Sequence, residues 1–188
     1  MTVEEIFKQL SHRMLSGIML HSDMVNYYRF LSLDGYAKCH EYRMIEESKG
    51  YRKLHKHYLE QYDKLLPEGE VSKGSEIPSE WYSHVRQDVD EGTIKSSVKD
   101  GLNKWIKHEE ETKKVYEDMA IELRQLGHIK SAIYVEDLVC KVAKELKHAK
   151  KYQLNKQIIG YDAQTIEEEQ REKFEHYESK ISLVYCRD

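Results

Sequence analysis

Apolar side chains recur every three or four positions along four long stretches of this chain. That spacing places them on one face of an α-helix and differs from the alternation of a β-strand. It predicts helices over residues 3–33, 36–66, 93–126 and 129–159, and no strand of any length. The predicted fold class is therefore all-α. In the first stretch the repeating positions are Val3, Phe7, Leu10, Met14, Gly17, His21, Met24, Tyr28 and Leu31.

The connections between the predicted helices differ in length. Short turns stand at 33–36, where the sequence is LDGY, and at 127–128. The middle connection, PEGEVSKGSEIPSE at 67–80, is long and rich in Gly, Pro and Ser. Short loops join antiparallel neighbours, whereas a long connection can run from one end of a bundle to the other. We therefore expect a four-helix bundle with a long crossover between the second and third helices.

The expected bundle occupies residues 1–160, and residues 161–188 form a charged C-terminal segment that we expect to hold a short helix. Two basic strings within the bundle are YRKLHKHY, at 51–58, and KHAKKYQLNK, at 147–156. Charged side chains are rarely buried unless they are paired, so these strings are expected to be solvent-exposed faces of their helices.

Charge and composition narrow the functional classes. The net charge is −4, so neither nucleic acid nor an anionic membrane is an expected partner. No apolar run approaches the roughly 20 residues that span a bilayer. The acidic, amphipathic start MTVEEIFKQL is unlike a secretory signal. Cys39, Cys140 and Cys186 are widely spaced and odd in number, which indicates reduced packing residues and a cytoplasmic protein.

Polar residues interrupt the apolar faces of the predicted helices. Glu109 lies between Trp105 and Thr112 on the third helix, and Glu145 lies between Val142 and Ala149 on the fourth. A buried charge without a partner is costly, so residues at such positions need a counter-charge or a metal ion. The other candidates are His148 one turn after Glu145, His21 on the first helix, and His55 and Glu47 on the second.

The spacing of these residues predicts which of them face each other. Residues of antiparallel helices lie at the same height when they are equally far from the turn. Glu109 is 18 residues before Gly127 and Glu145 is 18 after it, so their carboxylates should lie at the same height in the bundle. His21 and His55 lie 13 and 21 residues from Asp34, a looser match. Carboxylate and imidazole ligands together suit iron, manganese or zinc.

Over residues 3–160 the chain resembles the ferritin-like superfamily of ferritins, bacterioferritins and rubrerythrins. The resemblance rests on GYAKCHEYRMIEESKGYRKLHKHYLEQ at 35–61, and on Glu109 followed 36 residues later by ELKH. It implies a site for two metal ions, held by one Glu from each of two helices and a Glu-x-x-His from each of the other two. It also implies a homo-oligomer, whose size the sequence does not give.

The first half of that ligand set departs from the family pattern. If Glu47 is the motif Glu, then Gly50 stands where the His should be. If His55 is the motif His, then Arg52 stands where the Glu should be. The first helix offers only His21 and Asp23 near the place of the family's Glu.

Two functions follow. In the first, iron or manganese is bound by Glu109, Glu145 and His148, with His21, His55 and Glu47 as further candidates, for metal storage or oxidation chemistry. In the second, the protein is a non-catalytic helical interaction protein that has lost the metal site. The sequence does not decide whether the chain is an enzyme.

Overall fold

The computed structural model describes residues 1–67, 77 and 79–185, and this part of the chain contains no β-strand. Two short 3₁₀ turns, Ser79–Ser83 and Arg86–Asp88, lie in the middle connection. The architecture is the predicted all-α bundle of four long helices with a long crossover. The α-helices within the described residues are α1 Val3–Phe30, α2 Asp34–Tyr62, α3 Glu91–Gln125, α4 Ile129–Ile159 and α5 Ala163–Tyr185.

The first two helices end three or four residues before the predicted positions. Backbone in the left-handed region stops them, at Ser32 with φ 60° and at Asp63 with φ 50°. A side-chain cap starts α3 two residues early, because Asp90 accepts a hydrogen bond of 2.7 Å from the backbone N–H of Thr93. The fourth helix has the predicted bounds, and Gly127, with φ 80°, makes the turn before it.

The four long helices form two hairpins, α1 with α2 and α3 with α4, and α1 also packs on α3. Two apolar clusters fill the bundle, one at each end. The first includes Leu20, Leu102 and Trp105, and the second includes Leu10, Leu54 and Tyr116. Between the clusters is a stretch of the bundle that contains charged side chains, which we call the polar layer and define by Arg43, Glu47, Glu109 and Glu145.

The C-terminal segment forms α5, which lies alongside α2 and runs parallel to it. Gly35 of α2 meets Gln170 of α5, and further along Lys38 forms an ion pair of 2.6 Å with Glu178. A Cβ atom at position 35 would lie 1.8 Å from the Gln170 carbonyl oxygen, so only glycine permits this approach. The helix buries Ile166, Tyr177 and Ile181. No helix among the described residues is long and apolar enough to cross a membrane.

Lys156, the last residue of KHAKKYQLNK, is an exception to the solvent exposure expected for the charged residues of this string. The Lys156 side chain is fully buried, because α5 covers it and supplies a counter-charge: Lys156 Nζ lies 2.8 Å from Glu169 Oε2. The ammonium pairs with that carboxylate electrostatically without a well-directed hydrogen bond.

Candidate metal centre

Glu109 is the most deeply buried member of the polar layer. It projects from α3 and is 3% exposed, and the indole N–H of Trp105, one turn earlier, donates a hydrogen bond of 2.9 Å to its Oε1. Because Trp105 packs in the first apolar cluster, this bond fixes the carboxylate at the boundary between the cluster and the layer.

Arg43 is the cation of the layer. Its guanidinium, from α2, forms an ion pair of 2.9 Å with Glu145 of α4, and its central carbon lies 5.1 Å from the centre of the Trp105 ring. Both partners of the pair are less than a fifth exposed. The Nε atom of Arg43 is buried without a hydrogen-bond partner among the described residues. Arg43 therefore neutralises one carboxylate, while one of its own N–H groups has no hydrogen-bond acceptor among the described residues.

The other two carboxylates lack enough positive charge nearby. The pKa of Glu109 is raised to about 7, mainly by burial. The negative charges of Glu145 and Glu47 add to this increase, and each has a larger effect than the opposing charge of Arg43. Burial likewise raises the pKa of Glu47 to about 7, although the ammonium of Lys141 opposes the shift. Each of these pKa values responds to the charge on Glu145, so the three carboxylates are electrostatic neighbours. Glu109 and Glu145 thus lie close enough to interact electrostatically.

The first helix contributes no side chain to the layer. A Cβ atom at Gly17 would lie 3.1 Å from His108 Nε2 and 3.5 Å from Glu47 Cγ. His108 therefore fills the space beside α1 in which a longer side chain would otherwise project. Arg13 holds the ring, since its Nη2 lies 3.1 Å from His108 Nδ1 and donates 2.6 Å to the His108 carbonyl.

This contact also fixes the proton on His108. A guanidinium can only donate, so Nδ1 accepts and the proton of the neutral ring is on Nε2, which faces Gly17. Burial, with the charge of Arg13 adding to it, lowers the pKa of His108 to about 2, so the ring stays neutral. Sequence reasoning missed Arg43 and His108. The only signal was a His directly before Glu109 and an Arg one turn before Glu47.

Three of the six predicted ligands lie outside the polar layer. His148 is exposed on α4. His21 is buried and its Nδ1 lies 2.9 Å from Nδ1 of His40. His55 Nε2 lies 3.1 Å from Ser11 Oγ, and its ring packs on Tyr51. Glu47, Glu109 and Glu145 lie in the polar layer as electrostatic neighbours. Within the described residues, no three His, Cys, Asp or Glu side chains form a group arranged to hold a metal ion.

Comparison with solved structures assigns the fold. An engineered closed form of the Archaeoglobus fulgidus ferritin matches with a TM-score of 0.74 at 14% sequence identity, over 93% of this chain and 96% of that one. An open pore ferritin from the same archaeon matches with a TM-score of 0.73 at 15% identity, over 90% and 93%. The chain therefore has a ferritin-like fold. No family model and no curated protein matches the sequence.

Proposed function

We propose that this protein binds one divalent iron or manganese ion in the polar layer, for metal storage or oxidation chemistry. The ligands are the carboxylates of Glu47, Glu109 and Glu145. The main support for the proposal is a shortage of positive charge in the polar layer. Arg43 pairs with Glu145, and the pKa values of Glu47 and Glu109 are both raised to about 7.

The chemical type of the three donors suits such an ion, although the described residues hold no preformed ligand group. Carboxylate oxygens are ligands that Mn²⁺ and Fe²⁺ accept, and a divalent charge balances the carboxylates that Arg43 leaves uncompensated. A bound ion of this kind would supply Lewis acidity, and iron would add one-electron redox chemistry. In this arrangement Trp105 orients Glu109 by its hydrogen bond, and Arg43 holds Glu145. His108 keeps its proton on Nε2 and is not a ligand.

Binding of manganese to chelator-free protein tests the proposal. Titration with Mn²⁺, followed by calorimetry and by the loss of the free Mn²⁺ signal in electron paramagnetic resonance, should show one ion per chain. Glu109→Gln removes a charge but can still accept the Trp105 hydrogen bond, and it should abolish binding. Asp118→Asn is the matched control, because Asp118 is exposed on the same helix, and it should bind like the wild type. Wild-type protein that binds no Mn²⁺ or Fe²⁺, or a Glu109→Gln variant that binds normally, would overturn the proposal.

The Arg43–Glu145 ion pair favours one alternative, a non-catalytic helical protein in which Arg43 has taken the place of a metal ion. The two functions differ in what Mn²⁺ does to thermal stability. A metal-binding layer is stabilised by the ion, whereas a layer closed by Arg43 melts at the same temperature with and without it.

We also propose that the chain assembles with copies of itself in the cytoplasm. The solved structures of the same fold are ferritins, and α4 exposes Leu154, Ile158 and Ile159 near its end. The free thiols Cys39 and Cys140 suit a reducing compartment. Sedimentation velocity should show an oligomer that Leu154→Glu with Ile158→Glu dissociates. A monomeric wild type would contradict the assembly.

A further inference from the structure

Basic side chains of α4 and α5 lie opposite each other on the hairpin that these two helices form. Lys151 and Lys173 are each 11 residues from Asp162 in the turn, and His148 and His176 are each 14 residues from it. Residues of antiparallel helices that are equally far from a turn lie at the same height, so each pair is level. With Lys180, two turns after Lys173, they form what we call the basic strip, defined by His148, Lys151, Lys173, His176 and Lys180.

Tyrosine rings hold the ammonium groups of α5 in this strip. Lys173 Nζ lies 4.2 Å from the centre of the Tyr152 ring of α4 and 5.4 Å from that of Tyr36. Lys180 Nζ lies 5.2 Å from the centre of the Tyr42 ring. The face of an aromatic ring attracts a cation, and both lysines are half-buried. Their charges therefore have defined positions before any ligand binds.

The lysines of the strip lack a counter-charge. Lys151, Lys173 and Lys180 form no ion pair with a carboxylate in the described part of the chain. Lys150, next to Lys151 but on another face of α4, does form one, at 2.5 Å from Glu110 of α3. The unpaired ammonium groups are thus those that α4 and α5 bring together.

The two histidines experience this excess of positive charge. Partial burial lowers the pKa of His148, and four positive charges lower it further. They belong to Arg43, Lys173, Lys151 and Lys180. Burial also lowers the pKa of His176, and the charges of Lys180 and Lys173 add to that effect. A bound anion would offset these charges.

The arrangement suits a chain of linked phosphate groups. Ammonium and imidazole N–H groups donate to phosphate oxygens. Lys173 and Lys180 are seven residues apart, about 10 Å along the helix. A single phosphate contacts only part of such a strip, whereas linked phosphates follow it. Single-stranded nucleic acid fits less well, because its bases stack on exposed aromatic faces, and here the lysines cover the rings.

We propose that the basic strip binds a linear oligophosphate, as free polyphosphate or as the phosphate chain of a nucleotide. The phosphate oxygens accept hydrogen bonds from the ammonium groups of Lys151, Lys173 and Lys180. His148 and His176 donate from their ring N–H groups at the level between the lysines. The strip shares no residue with the polar layer, so this binding does not depend on a metal ion.

Calorimetry in buffer without divalent cations tests the proposal. Sodium tripolyphosphate titrated into the protein should bind at one molecule per chain, and orthophosphate should bind on the order of tenfold more weakly. Lys173→Gln with Lys180→Gln should weaken the binding of tripolyphosphate by on the order of tenfold or more, because two charged donors are lost. Circular dichroism checks that the double variant is folded.

The matched control is Lys99→Gln with Lys114→Gln. Both lysines are exposed on α3 and outside the strip, and the control loses the same two charges. It should bind tripolyphosphate like the wild type. A wild-type protein that binds no tripolyphosphate would overturn the proposal, and so would equal weakening in the two double variants.

The same titration distinguishes the sources of the phosphate chain. Equal affinity for adenosine triphosphate and tripolyphosphate would show that the phosphate chain alone is recognised, whereas tighter binding of adenosine triphosphate would assign the strip to nucleotides. A ten-residue oligothymidylate that binds more tightly than both would overturn the proposal in favour of nucleic acid.

Nuclear magnetic resonance locates the bound anion. Adding tripolyphosphate should shift the ring signals of His148 and His176, which substitution of each residue assigns. The signal of His128, in the turn between α3 and α4, should not move. Calorimetric binding without a shift of His148 and His176 would place the anion elsewhere and contradict the assignment to the strip.

Discussion

The Arg43 guanidinium and the Glu145 carboxylate, 2.9 Å apart, join the two helical hairpins at the level where two more carboxylates face inward. The pair lies beside Trp105, whose ring packs against the guanidinium. Arg43 is thus the main cation among three acidic residues. Its removal tests how the negative charges of the polar layer are balanced.

Arg43→Met should destabilise the protein by about 3–5 kcal/mol, because breaking a buried pair leaves the charge on Glu145 uncompensated. If the layer also binds a cation, Mn²⁺ at a hundredfold excess over its Kd should restore about 2.7 kcal/mol. Urea unfolding with and without Mn²⁺ measures both effects. Lys144→Met changes an exposed cation on α4 and serves as the control. A variant as stable as the wild type would show that Arg43 is dispensable.

Glu109→Gln should be more stable than the wild type at pH 8 and equally stable near pH 4. The pKa of Glu109 is raised from 4.5 to about 7, so the folded state holds more protons than the unfolded state between these values. The contribution of Glu109 to stability is therefore lost as pH rises through that window, by roughly 3 kcal/mol at most. Glutamine has no proton to lose.

The quantity to measure is the difference in the free energy of unfolding between Glu109→Gln and the wild type at each pH. Burial lowers the pKa of His21 to about 3, so this histidine makes stability rise with pH between about 3 and 6.5, opposite to Glu109. That contribution is common to both proteins and cancels. Urea unfolding across the pH range measures the difference, and a constant difference would contradict the raised pKa of Glu109.

Lys156→Met should cost about 3–5 kcal/mol, because it leaves the Glu169 carboxylate of α5 without its counter-charge. Adding Glu169→Gln should recover much of that loss, since neither residue of the pair is then charged. The coupling between the two substitutions, from a double-mutant cycle of thermal melts, should fall in the range of about 0.5–3 kcal/mol. Strict additivity would show that the ion pair does not hold α5 in place.

Gly35→Ala should destabilise the protein by about 1–3 kcal/mol, because the new methyl group meets the backbone of α5 at Gln170 and forces the helices apart. Hydrogen exchange should then become faster in α5 than in α4. Gly50→Ala is the control, because its Cβ would meet only the end of Met14, 3.9 Å away. It should stabilise α2 by about 0.5–1 kcal/mol. Equal effects at both positions would contradict the close approach of α5.

The helices were predictable because their apolar spacing depends on local sequence alone. The height of Glu109 and Glu145 was predictable for a similar reason, since a tight turn fixes the register of its two helices. The outward position of His148 was harder to predict. It lies about 60° around the helix from Glu145, so a small rotation of α4 decides whether it faces inward or outward.

The rest of the site depends on contacts between helices that are distant in sequence. Gly17 falls on the apolar face of α1, but nothing local shows that the ring of His108 fills the space beside it. Arg43 belongs to a charged string, and its ion pair exists only because α4 passes opposite α2. Burial of Lys156 likewise requires α5, whose apolar positions are sparse.

The polar layer has a consequence for the order in which the chain assembles. Each hairpin closes over a short turn, so its own contacts form early in folding, whereas the two hairpins meet only after the long connection at 63–90 closes. One hairpin brings Arg43 and Glu47, and the other brings Glu109 and Glu145. If one hairpin were shifted along the other by one helical turn, about 5.4 Å, Arg43 and Glu145 would separate. Both charges would then be buried without a partner. The layer therefore selects a single docking register, which apolar faces by themselves would specify far less sharply.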